Sequence, residues 1–222
     1  MKNNLFSCLL PMRHYSERVK GKNYRDFGGK PLFRHVLDQI LKVKHIDEIF
    51  INTDSPVIKA HVLELKSEKI RILDRPPDMI DGQIPMNDII NLDIQHIKNE
   101  FIFQTHSTNP FLRKETIENA ITKFLASEEN DSLFSVSKRY SRFYTSTGSP
   151  INHDPNVLLR TQDLEPILEE NSCIYLFTKS SFQENRNRIG KNPIWFPISD
   201  KESIDIDTEM DFSMAEQMYE KT

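Results

Sequence analysis

Short apolar runs alternate with stretches of helical periodicity along this chain. The apolar runs, which are typical of buried strands, cover residues 5–10, 48–52, 70–73, 101–104, 133–136, 173–177 and 195–198. The helical stretches carry apolar residues three and four positions apart, the spacing of one helix face. They begin near residues 31, 56, 86, 117 and 208. This alternation predicts a three-layer α/β fold, with a mostly parallel sheet and helices on both of its faces.

The alternation is interrupted between residues 137 and 171, where few apolar positions are periodic. We interpret this stretch as an excursion from the sheet: a flap, a hairpin or a dimer arm. Basic and aromatic residues are mixed at 139–144, as is typical of an interface. Farther on, residues 203–207 are predicted to form a short strand, and Thr208 with Asp211 a capping box at the last helix. The sequence therefore predicts one domain, 1–222, with 137–171 as a flap or dimer arm.

Composition is that of a folded cytoplasmic protein. The two cysteines, Cys8 and Cys173, both fall in apolar runs, so we expect buried thiols, with a disulfide or a metal site as the alternative. No apolar run approaches the roughly 20 residues of a membrane span, and residues 1–8 lack the features of a secretory signal. The net charge of −4 argues against a general nucleic-acid binder. We expect a cytoplasmic protein that binds neither nucleic acid nor membrane.

Charge is unevenly distributed along the chain. Residues 13–34 hold seven basic residues against two acidic ones, so this segment carries +5 and the remaining 200 residues carry −9. The sign reverses at residues 200–211, where six acidic residues accompany one lysine. One cationic loop and one anionic segment indicate a polyanionic ligand and a divalent cation. The alternative is that both runs are solvated surface.

The loop after the first predicted strand supplies guanidinium, hydroxyl and ammonium groups, the donors that bind phosphate oxygens. They belong to Arg13, Ser16, Arg18 and Lys22. Three of the six glycines in the chain, at 21, 28 and 29, also fall here, and glycine lets backbone approach a ligand closely. The loop is not a Walker A motif, because Lys22 is followed by asparagine. A phosphate site is therefore predicted from charge and position alone.

The same loop resembles the opening signature of the cytidylyltransferases that activate sialic acids and related sugar acids. The match is L-P-M-R-x-x-S-x-R-(x)3-K-N at 10–23, followed by G-G-K-P-L at 28–32. Two positions differ: Glu17 stands where the family usually has lysine, and Lys20 where it usually has proline. Further matches follow in order along the chain, so that the resemblance covers about residues 5–220. They are Thr53-Asp54, Arg75-Pro76, Thr108-Asn109-Pro110 and I-D-I-D-T-E at 204–209.

The resemblance implies a Rossmann-like nucleotidyltransferase fold and an enzyme that transfers CMP from CTP to a sialic-acid-like nonulosonic acid. The anomeric hydroxyl of the acid would attack, and pyrophosphate would leave. The residues that the resemblance implies as nucleotide contacts are Arg13, Ser16, Arg18, Lys22, Asn23 and Arg75. We predict that Arg13 and Lys22 are also catalytic, because phosphoryl transfer depends on charge neutralisation and positioning. Asp207 is the candidate general base, acting through a bound metal ion.

The acidic segment has an independent physical interpretation. An extended I-D-I-D run puts both isoleucines on one face and both aspartates, Asp205 and Asp207, on the other. The aspartates are then roughly 6.6 Å apart along the strand. Mg²⁺ is usually held by one or two carboxylates, with water and phosphate oxygens completing its shell. We therefore predict that Asp205 and Asp207 bind Mg²⁺; the alternative is an exposed strand edge with solvated acids.

The sugar-binding end resembles the family less closely. His106 stands where the family often has glutamine, and Asn171 is retained, so both are candidate sugar contacts. In sialic-acid enzymes an arginine binds the substrate carboxylate, but Glu169 occupies that position here. A glutamate repels a carboxylate unless it is protonated or paired. Either Arg139 or Arg142 takes over this contact, or the substrate is not an ordinary sialic acid.

Family members commonly dimerise through an arm in this region, so the resemblance also implies a homodimer. Two other functions remain open. One is an enzyme with a different acceptor, such as an eight-carbon ulosonic acid or a sugar phosphate. The other is a nucleotide-binding module that has lost turnover, which the acidic residues Glu17 and Glu169 make conceivable.

Overall fold

The computed structural model describes residues 4–221. Its strands are β1 (Phe6–Leu9), β2 (Asp26–Phe27), β3 (Lys30–Pro31), β4 (Ile46–Thr53), β5 (Ile70–Asp74), β6 (Phe101–Gln104), β7 (Ser132–Arg139), β8 (Ile167–Thr178) and β9 (Pro193–Pro197). Its helices are α1 (Leu32–Ile40), α2 (Pro56–Glu64), α3 (Met86–Asp93), α4 (Lys114–Leu125), α5 (Lys179–Asn185) and α6 (Glu209–Glu220). Residues 1–3 and 222 of the predicted domain 1–222 lie outside the described residues. Residues 1–3 also belong to the segment considered for a secretory signal.

Seven of these strands form one sheet in the order β5-β4-β1-β6-β8-β7-β9, and β2 pairs with β3 in a separate hairpin. The neighbours β5, β4, β1 and β6 are parallel, as are β7 and β9. β8 runs antiparallel to both of its neighbours, β6 and β7. The predicted α/β fold with a mostly parallel sheet is therefore confirmed, with β8 reversed.

Side-chain alternation along the strands produces a core on each face of the sheet. On one face Cys8, Ile51 and Phe103 pack in a cluster with α1, α2 and α4. On the other face their chain neighbours Leu9 and Phe50 pack with α3 and α5. Because successive strand residues point to opposite faces, strands buried on both sides must be apolar throughout. This requirement explains why the strands were recognisable as continuous apolar runs.

Two predicted helix starts are present. Ser55 caps α2: its hydroxyl accepts a hydrogen bond from Ile58 N at 3.2 Å, and Pro56 takes the first helical position. Thr208 caps α6 through the predicted capping box with Asp211, and this cap immediately follows Asp207. Within residues 4–221, no helix combines the length and the apolar character that crossing a membrane requires.

The cationic loop contains a hairpin that the sequence did not predict. β2 and β3 pair across Gly28 and Gly29, which both have positive φ, the backbone that a tight hairpin turn requires. A Cβ at Gly28 would also lie 2.4 Å from Cδ1 of Tyr219 on α6. Gly28 and Gly29 therefore turn the chain, with Gly28 packed against Tyr219, and their approach to a ligand stays a prediction.

The predicted strand at 203–207 is wrong. Ser203 lies in a turn, and residues 204–207 pair with no strand of the described chain but bond to the loop after β6. Ile206 N donates to Thr108 O at 3.0 Å, and Asn109 Nδ2 donates to Ile204 O at 3.3 Å. The predicted alternation persists without a sheet: Ile206 is fully buried, whereas the flanking aspartates are not.

The excursion is shorter than predicted, because β7 extends to Arg139 and β8 begins at Ile167. It spans residues 140–166 instead of 137–171. The polar first half of β8 pairs with β7 across a register shift between Phe134 and Val136, so β8 is longer than the predicted 173–177. α5 was missed because it is seven residues long and buries only Ser181 and Phe182, too few positions for a helical pattern.

Glu202 anchors the turn that precedes the I-D-I-D run at 204–207. Its buried carboxylate accepts hydrogen bonds from Thr116 Oγ1 at 2.6 Å, Ser199 Oγ at 2.8 Å and Arg113 N at 3.2 Å. Burial acts to raise the pKa of Glu202, but the Arg113 guanidinium, 3.3 Å away, outweighs it together with these hydrogen bonds and holds the pKa below the ordinary 4.5. A carboxyl whose pKa is lowered on folding stabilises the fold above its unfolded pKa, and this contribution is lost as the pH falls through the folded pKa.

We expect Glu202→Gln to lower Tm by several degrees at neutral pH, because weakening a buried, charge-assisted network costs about 1–3 kcal/mol. The Tm difference from wild type should shrink as the pH falls below 4.5, where the unfolded carboxyl becomes protonated, and should vanish below the lower pKa of the folded state. Calorimetry across a pH series measures both effects. Glu184→Gln, which changes an exposed glutamate bonded to Lys191, is the control. A Tm difference that is constant through the acidic range contradicts this account.

Candidate active site

The carboxyl ends of β1, β4, β5 and β6 meet at one edge of the sheet, and a cleft of about 390 Å³ opens there. Ligands of open α/β sheets bind at this edge. The walls come mainly from the loop after β1 and from the segment after β6. The sequence-predicted site residues that line the cleft are Arg13, Ser16, Arg18, Lys22, Asn23, Arg75 and His106. All six predicted nucleotide contacts therefore share one cleft, while their roles stay predictions.

The turn after β4 anchors the start of the cationic loop. Met12 forms a parallel bridge with Thr53, which extends the contact between β1 and β4. The backbone N–H of His14 donates to Asp54 Oδ1 at 2.8 Å, and His14 Nδ1 lies 2.8 Å from Ser55 Oγ. The Thr53-Asp54 pair thus fixes the position of the loop that carries the predicted phosphate ligands.

Asn23 braces the same loop from within. Its Nδ2 donates to Arg13 O at 2.7 Å, and its Oδ1 accepts a hydrogen bond from Ser107 Oγ at 2.6 Å. Both ends of the buried side chain are therefore used by the protein. Asn23 ties the backbone of Arg13 to the segment after β6, which is a positioning role beyond the predicted nucleotide contact.

The cationic loop and the acidic segment meet at the rim of the cleft. Arg18 Nη2 lies 2.8 Å from Asp207 Oδ1, and Lys22 Nζ lies 3.3 Å from the same oxygen. Lys22 Nζ also donates to Ile206 O at 2.7 Å. Lys22 and Asp207 are 185 positions apart along the chain. Only the tertiary fold brings these opposite charges together.

The charged side chains at the rim differ in exposure. Lys22 is 12% exposed, whereas Asp207 is 44% and Arg18 is 63% exposed. Exposed ion pairs contribute little to folding stability, so Arg18 can leave Asp207 for another partner at low cost. Withdrawal from water raises the pKa of Asp205, and the negative charge of Asp207 adds to this rise. A cation between the two carboxylates would relieve their repulsion.

The carboxylates that could hold a divalent cation are Asp207 at this rim and Asp205, which lines the neighbouring depression and is hydrogen-bonded by Thr108 of the cleft wall. Within residues 4–221 no group of three or more His, Cys, Asp or Glu side chains is arranged to hold a metal ion. Mg²⁺ does not need such a cage, because it is commonly bound by one or two carboxylates together with water and substrate phosphates. The donor set fits Mg²⁺ that arrives with a nucleotide.

Arg75 lies in the cleft wall at the end of a buried polar chain. Its Nε donates to Asn52 Oδ1 at 2.5 Å, and Asn52 Nδ2 donates to Asp93 Oδ1 at 2.5 Å. Burial raises the pKa of Asp93 to about 7. Sequence reasoning missed Asn52 and Asp93. Asn52 could have been identified, because a polar residue at the carboxyl end of an apolar parallel strand lies at the ligand edge of the sheet. No feature of the sequence around Asp93 indicated a role in the site.

The predicted sugar contacts are not all brought together. His106 lines the cleft, and burial, followed by the charges of Arg188 and Lys22, lowers the pKa of His106 to about 3, so its imidazole is neutral. Asn171 lies outside the cleft at the irregular β7–β8 pairing. Its Oδ1 accepts from Ser135 Oγ at 2.6 Å, and its Nδ2 donates to Ser137 Oγ at 3.1 Å. These contacts give Asn171 a structural role in the sheet.

The two arginines expected to replace the lost carboxylate ligand also lie outside the cleft. Arg139 Nε lies 2.6 Å from Glu169 Oε2, and Arg139 Nη1 lies 3.4 Å from Asp200 Oδ1. Arg142 Nη2 donates to Leu159 O within the excursion. Glu169, the acidic departure from the family pattern, is thus neutralised by Arg139.

Arg188 is a further cation close to the cleft, next to His106. Arg188, in the loop between α5 and β9, donates from Nη1 to Gln104 Oε1 at 2.7 Å and lies 3.4 Å from His106 Nε2. Its guanidinium stacks 3.5 Å from the centroid of the Tyr175 ring. Sequence reasoning missed Arg188, because the residues around it form no motif and only tertiary contacts connect it with the cleft.

A mostly parallel α/β sheet whose first loop carries clustered cations, facing an aspartate pair at the ligand edge, defines a protein of the nucleotidyltransferase class. The family model for cytidylyltransferases matches residues 7–221 of the chain. The protein belongs to the cytidylyltransferase family, as the motifs of the loop and of the acidic segment predicted.

Relatives of this chain are named for different sugar acids. The CMP-N,N'-diacetyllegionaminic acid synthase of Legionella pneumophila is 28% identical over 96% of this chain and 95% of its own length. The N-acylneuraminate cytidylyltransferase of Streptococcus agalactiae is 25% identical over 92% of this chain, which spans about half, 51%, of that protein. The 3-deoxy-manno-octulosonate cytidylyltransferase of Thermodesulfovibrio yellowstonii is 25% identical over 89% of this chain and 82% of its own length.

The fold is also similar to that of a solved structure. CMP:2-keto-3-deoxy-manno-octonic acid synthetase, solved as a complex with CTP, superposes with a TM-score of 0.70 at 15% identity. The match covers 98% of this chain and 99% of that one. This similarity confirms the predicted fold class.

Proposed function

We propose that the protein transfers the cytidylyl group of CTP to the anomeric hydroxyl of a sialic-acid-like nonulosonic acid and releases pyrophosphate. The observation that carries the proposal is the contact of Arg18 and Lys22 with Asp207 at the rim of the cleft, in a chain of the cytidylyltransferase family. It combines cations for phosphate oxygens with carboxylates for a divalent cation. The relatives named for N,N'-diacetyllegionaminic acid and for N-acylneuraminate support the acceptor class.

In the proposed reaction the anomeric oxygen of the acceptor attacks the α-phosphorus of CTP. The bond between that phosphorus and the oxygen bridging to the β-phosphate breaks, pyrophosphate leaves with the bonding electrons, and the hydroxyl proton passes to solvent. Arg13, Arg18 and Lys22 neutralise the β- and γ-phosphate oxygens, where charge accumulates as the leaving group departs. Arg18 exchanges its exposed contact with Asp207 for one with phosphate.

Asp205 and Asp207 are proposed to hold Mg²⁺. When bound, this ion supplies positive charge to phosphate oxygens and lowers the pKa of a coordinated hydroxyl. The protein keeps the two aspartates in place by burying Ile206 between them and by capping α6 immediately after Asp207. Lys22 adds a hydrogen bond to the carbonyl of Ile206.

A pyrophosphate-release assay with Mg²⁺ tests the proposed function. CTP, UTP, ATP and GTP are each combined with N-acetylneuraminate, N,N'-diacetyllegionaminate, 3-deoxy-manno-octulosonate and a sugar 1-phosphate. We expect the highest kcat/KM with CTP and a nonulosonic acid. The Thermodesulfovibrio relative makes the octulosonate the alternative acceptor. If the protein prefers it, the proposed cytidylyl transfer stands and the proposed acceptor is wrong. No release with any pair would overturn the proposal.

A nucleotide-binding module without turnover is the second candidate. Glu17 favours it, because a carboxylate on the phosphate loop reduces its positive charge. A Cβ at Gly82 would lie 2.7 Å from both Glu17 Oε1 and Arg13 Nη1, so acid and base share one side of the cleft. CTP binding in a calorimeter, together with no pyrophosphate release from any acceptor, would favour this candidate.

We also propose that the excursion 140–166 is a homodimer arm. Leu158 is 89% exposed, and Tyr144, Ile151 and Val157 are exposed in the same segment. Apolar side chains gathered on one exposed segment are typical of an interaction site. Sedimentation equilibrium should give a dimer mass for the wild type and a largely monomeric Leu158→Asp variant. A monomeric wild type at micromolar concentration contradicts the proposal.

A further inference from the structure

The acceptor of the proposed function carries a carboxylate beside its reacting hydroxyl, so a cation is needed where the acceptor enters the cleft. The cations at the nucleotide rim, Arg18 and Lys22, face Asp207 and the proposed triphosphate. Arg139 is paired with Glu169 and Asp200, and Arg142 is bonded within the excursion. Arg13 and Arg75 also line the cleft but are predicted nucleotide contacts, so a cation outside this set is the better candidate for the acceptor carboxylate.

Arg188 is mostly buried and incompletely neutralised. Its side chain is 15% exposed, and its Nη2 lies 3.7 Å from Glu170 Oε1, which is beyond hydrogen-bond distance. The same Glu170 oxygen accepts the hydrogen of the Tyr175 hydroxyl. Burying a charge without a bonded counter-charge is costly. A carboxylate that bonds to this guanidinium would supply the missing partner.

Neighbouring contacts place Arg188 next to residues of the cleft wall, although Arg188 itself does not line the cleft. Gln104, the last residue of β6, accepts from Nη1, while the Tyr175 ring supports one face of the guanidinium. The backbone N–H of Arg188 donates to Asn87 Oδ1 at 3.3 Å, next to Met86 in the cleft wall. His106, which lines the cleft, lies 3.4 Å from Nη1. A ligand in the cleft would therefore reach Arg188 only if the contacts around His106 rearrange.

We infer that Arg188 binds the carboxylate of the acceptor, in place of the arginine that Glu169 replaces; this inference rests on the proposed function. A guanidinium held flat by an aromatic ring presents a planar fork, which matches a carboxylate with two parallel hydrogen bonds. His106, whose Nε2 lies 3.4 Å from Arg188 Nη1, would then lie beside the bound carboxylate. The neutral imidazole can hydrogen-bond the acceptor without adding a competing charge.

Kinetics with an acid and its uncharged methyl ester test the inference. The acceptor is whichever sugar acid the wild type uses, and KM values for acceptor and CTP are measured separately. We expect Arg188→Gln to raise the acceptor KM roughly 10- to 100-fold with the CTP KM little changed, because a charge-assisted pair is lost. The wild-type preference for the acid over the ester should disappear. Arg188→Lys, which keeps the charge but not the fork, should retain part of that preference.

Arg186→Gln is the matched control, because it removes an exposed arginine two positions away that is bonded to Asn91. Arg139→Gln tests one of the two positions that the sequence offered and should also leave the acceptor KM unchanged. If Arg188→Gln fails to fold, Arg188→Lys decides, and an unchanged acid-to-ester ratio in it overturns the inference. A change in the CTP KM instead of the acceptor KM overturns it as well. A wild type without activity on any acceptor overturns the proposed function itself, an outcome that no Arg188 variant can produce.

Discussion

Asp207→Asn is expected to lower kcat for pyrophosphate release by about a hundred- to a thousandfold, the usual effect of removing a group that stabilises transition-state charge. An amide cannot provide the negative charge that Mg²⁺ binding requires, nor can it form an ion pair with Lys22. The fold should persist, since Asp207 is 44% exposed and its ion pair with Arg18 is a surface contact. The measurement is made at saturating CTP, Mg²⁺ and acceptor, so that it reports kcat. Circular dichroism and Tm measurements check that the variant is folded.

Glu209→Gln is the control for this variant. Glu209 is an exposed carboxylate on the same segment, and it pairs with Arg25 at 2.6 Å outside the cleft. Its kcat should stay within about twofold of wild type, as for surface changes away from a site. Calorimetry in EDTA adds a readout independent of turnover. CTP should bind Asp207→Asn at least as tightly as wild type, because Arg18 and Lys22 no longer share their charge with a carboxylate. Near wild-type kcat in Asp207→Asn removes the assignment.

The parts of the fold that could be predicted are those where one local rule acts alone. Strands buried on both faces must be continuously apolar, and helix caps need specific residues, so both were readable from the sequence. The hairpin at Gly28-Gly29 was not recognised, because its strands have two residues each and the surrounding loop is polar. The 203–207 segment alternates like a strand, yet its partners are loop groups such as Thr108 O, which no periodicity reveals.

The candidate site divides in the same way. Residues that carry charge in a compact motif, such as Lys22 and Asp207, could be selected from the sequence and expected to meet. Arg188 and Asp93 could not be selected in this way. Their positions near the cleft depend on contacts with Tyr175 and Asn52, which form only in the folded chain. Asn171 was selected from the sequence pattern as a sugar contact, and this role stays a prediction. In the folded chain its amide bonds Ser135 and Ser137, a use that the sequence pattern did not reveal.

Lys22→Met is expected to lower kcat/KM for CTP by about two orders of magnitude, because the loss of a charge-assisted contact to phosphate adds to the loss of transition-state neutralisation. Methionine keeps most of the apolar stem and removes only the ammonium group. Lys22 is 12% exposed, so its charge is less screened than that of Arg18 and should matter more. Titration of CTP at several salt concentrations should also give a weaker salt dependence in the variant.

Lys22 has a second contact, to Ile206 O at 2.7 Å, so the variant could also act by loosening the acidic segment. Lys22→Arg separates the two effects: it keeps the positive charge and should recover part of the CTP affinity, although its larger fork changes the contact with Ile206. Lys20→Met removes an exposed lysine of the same loop and should leave kcat/KM unchanged. If Lys22→Met keeps wild-type CTP kinetics while Tm falls by a few degrees, Lys22 is a structural tether, and phosphate neutralisation falls to Arg13 and Arg18.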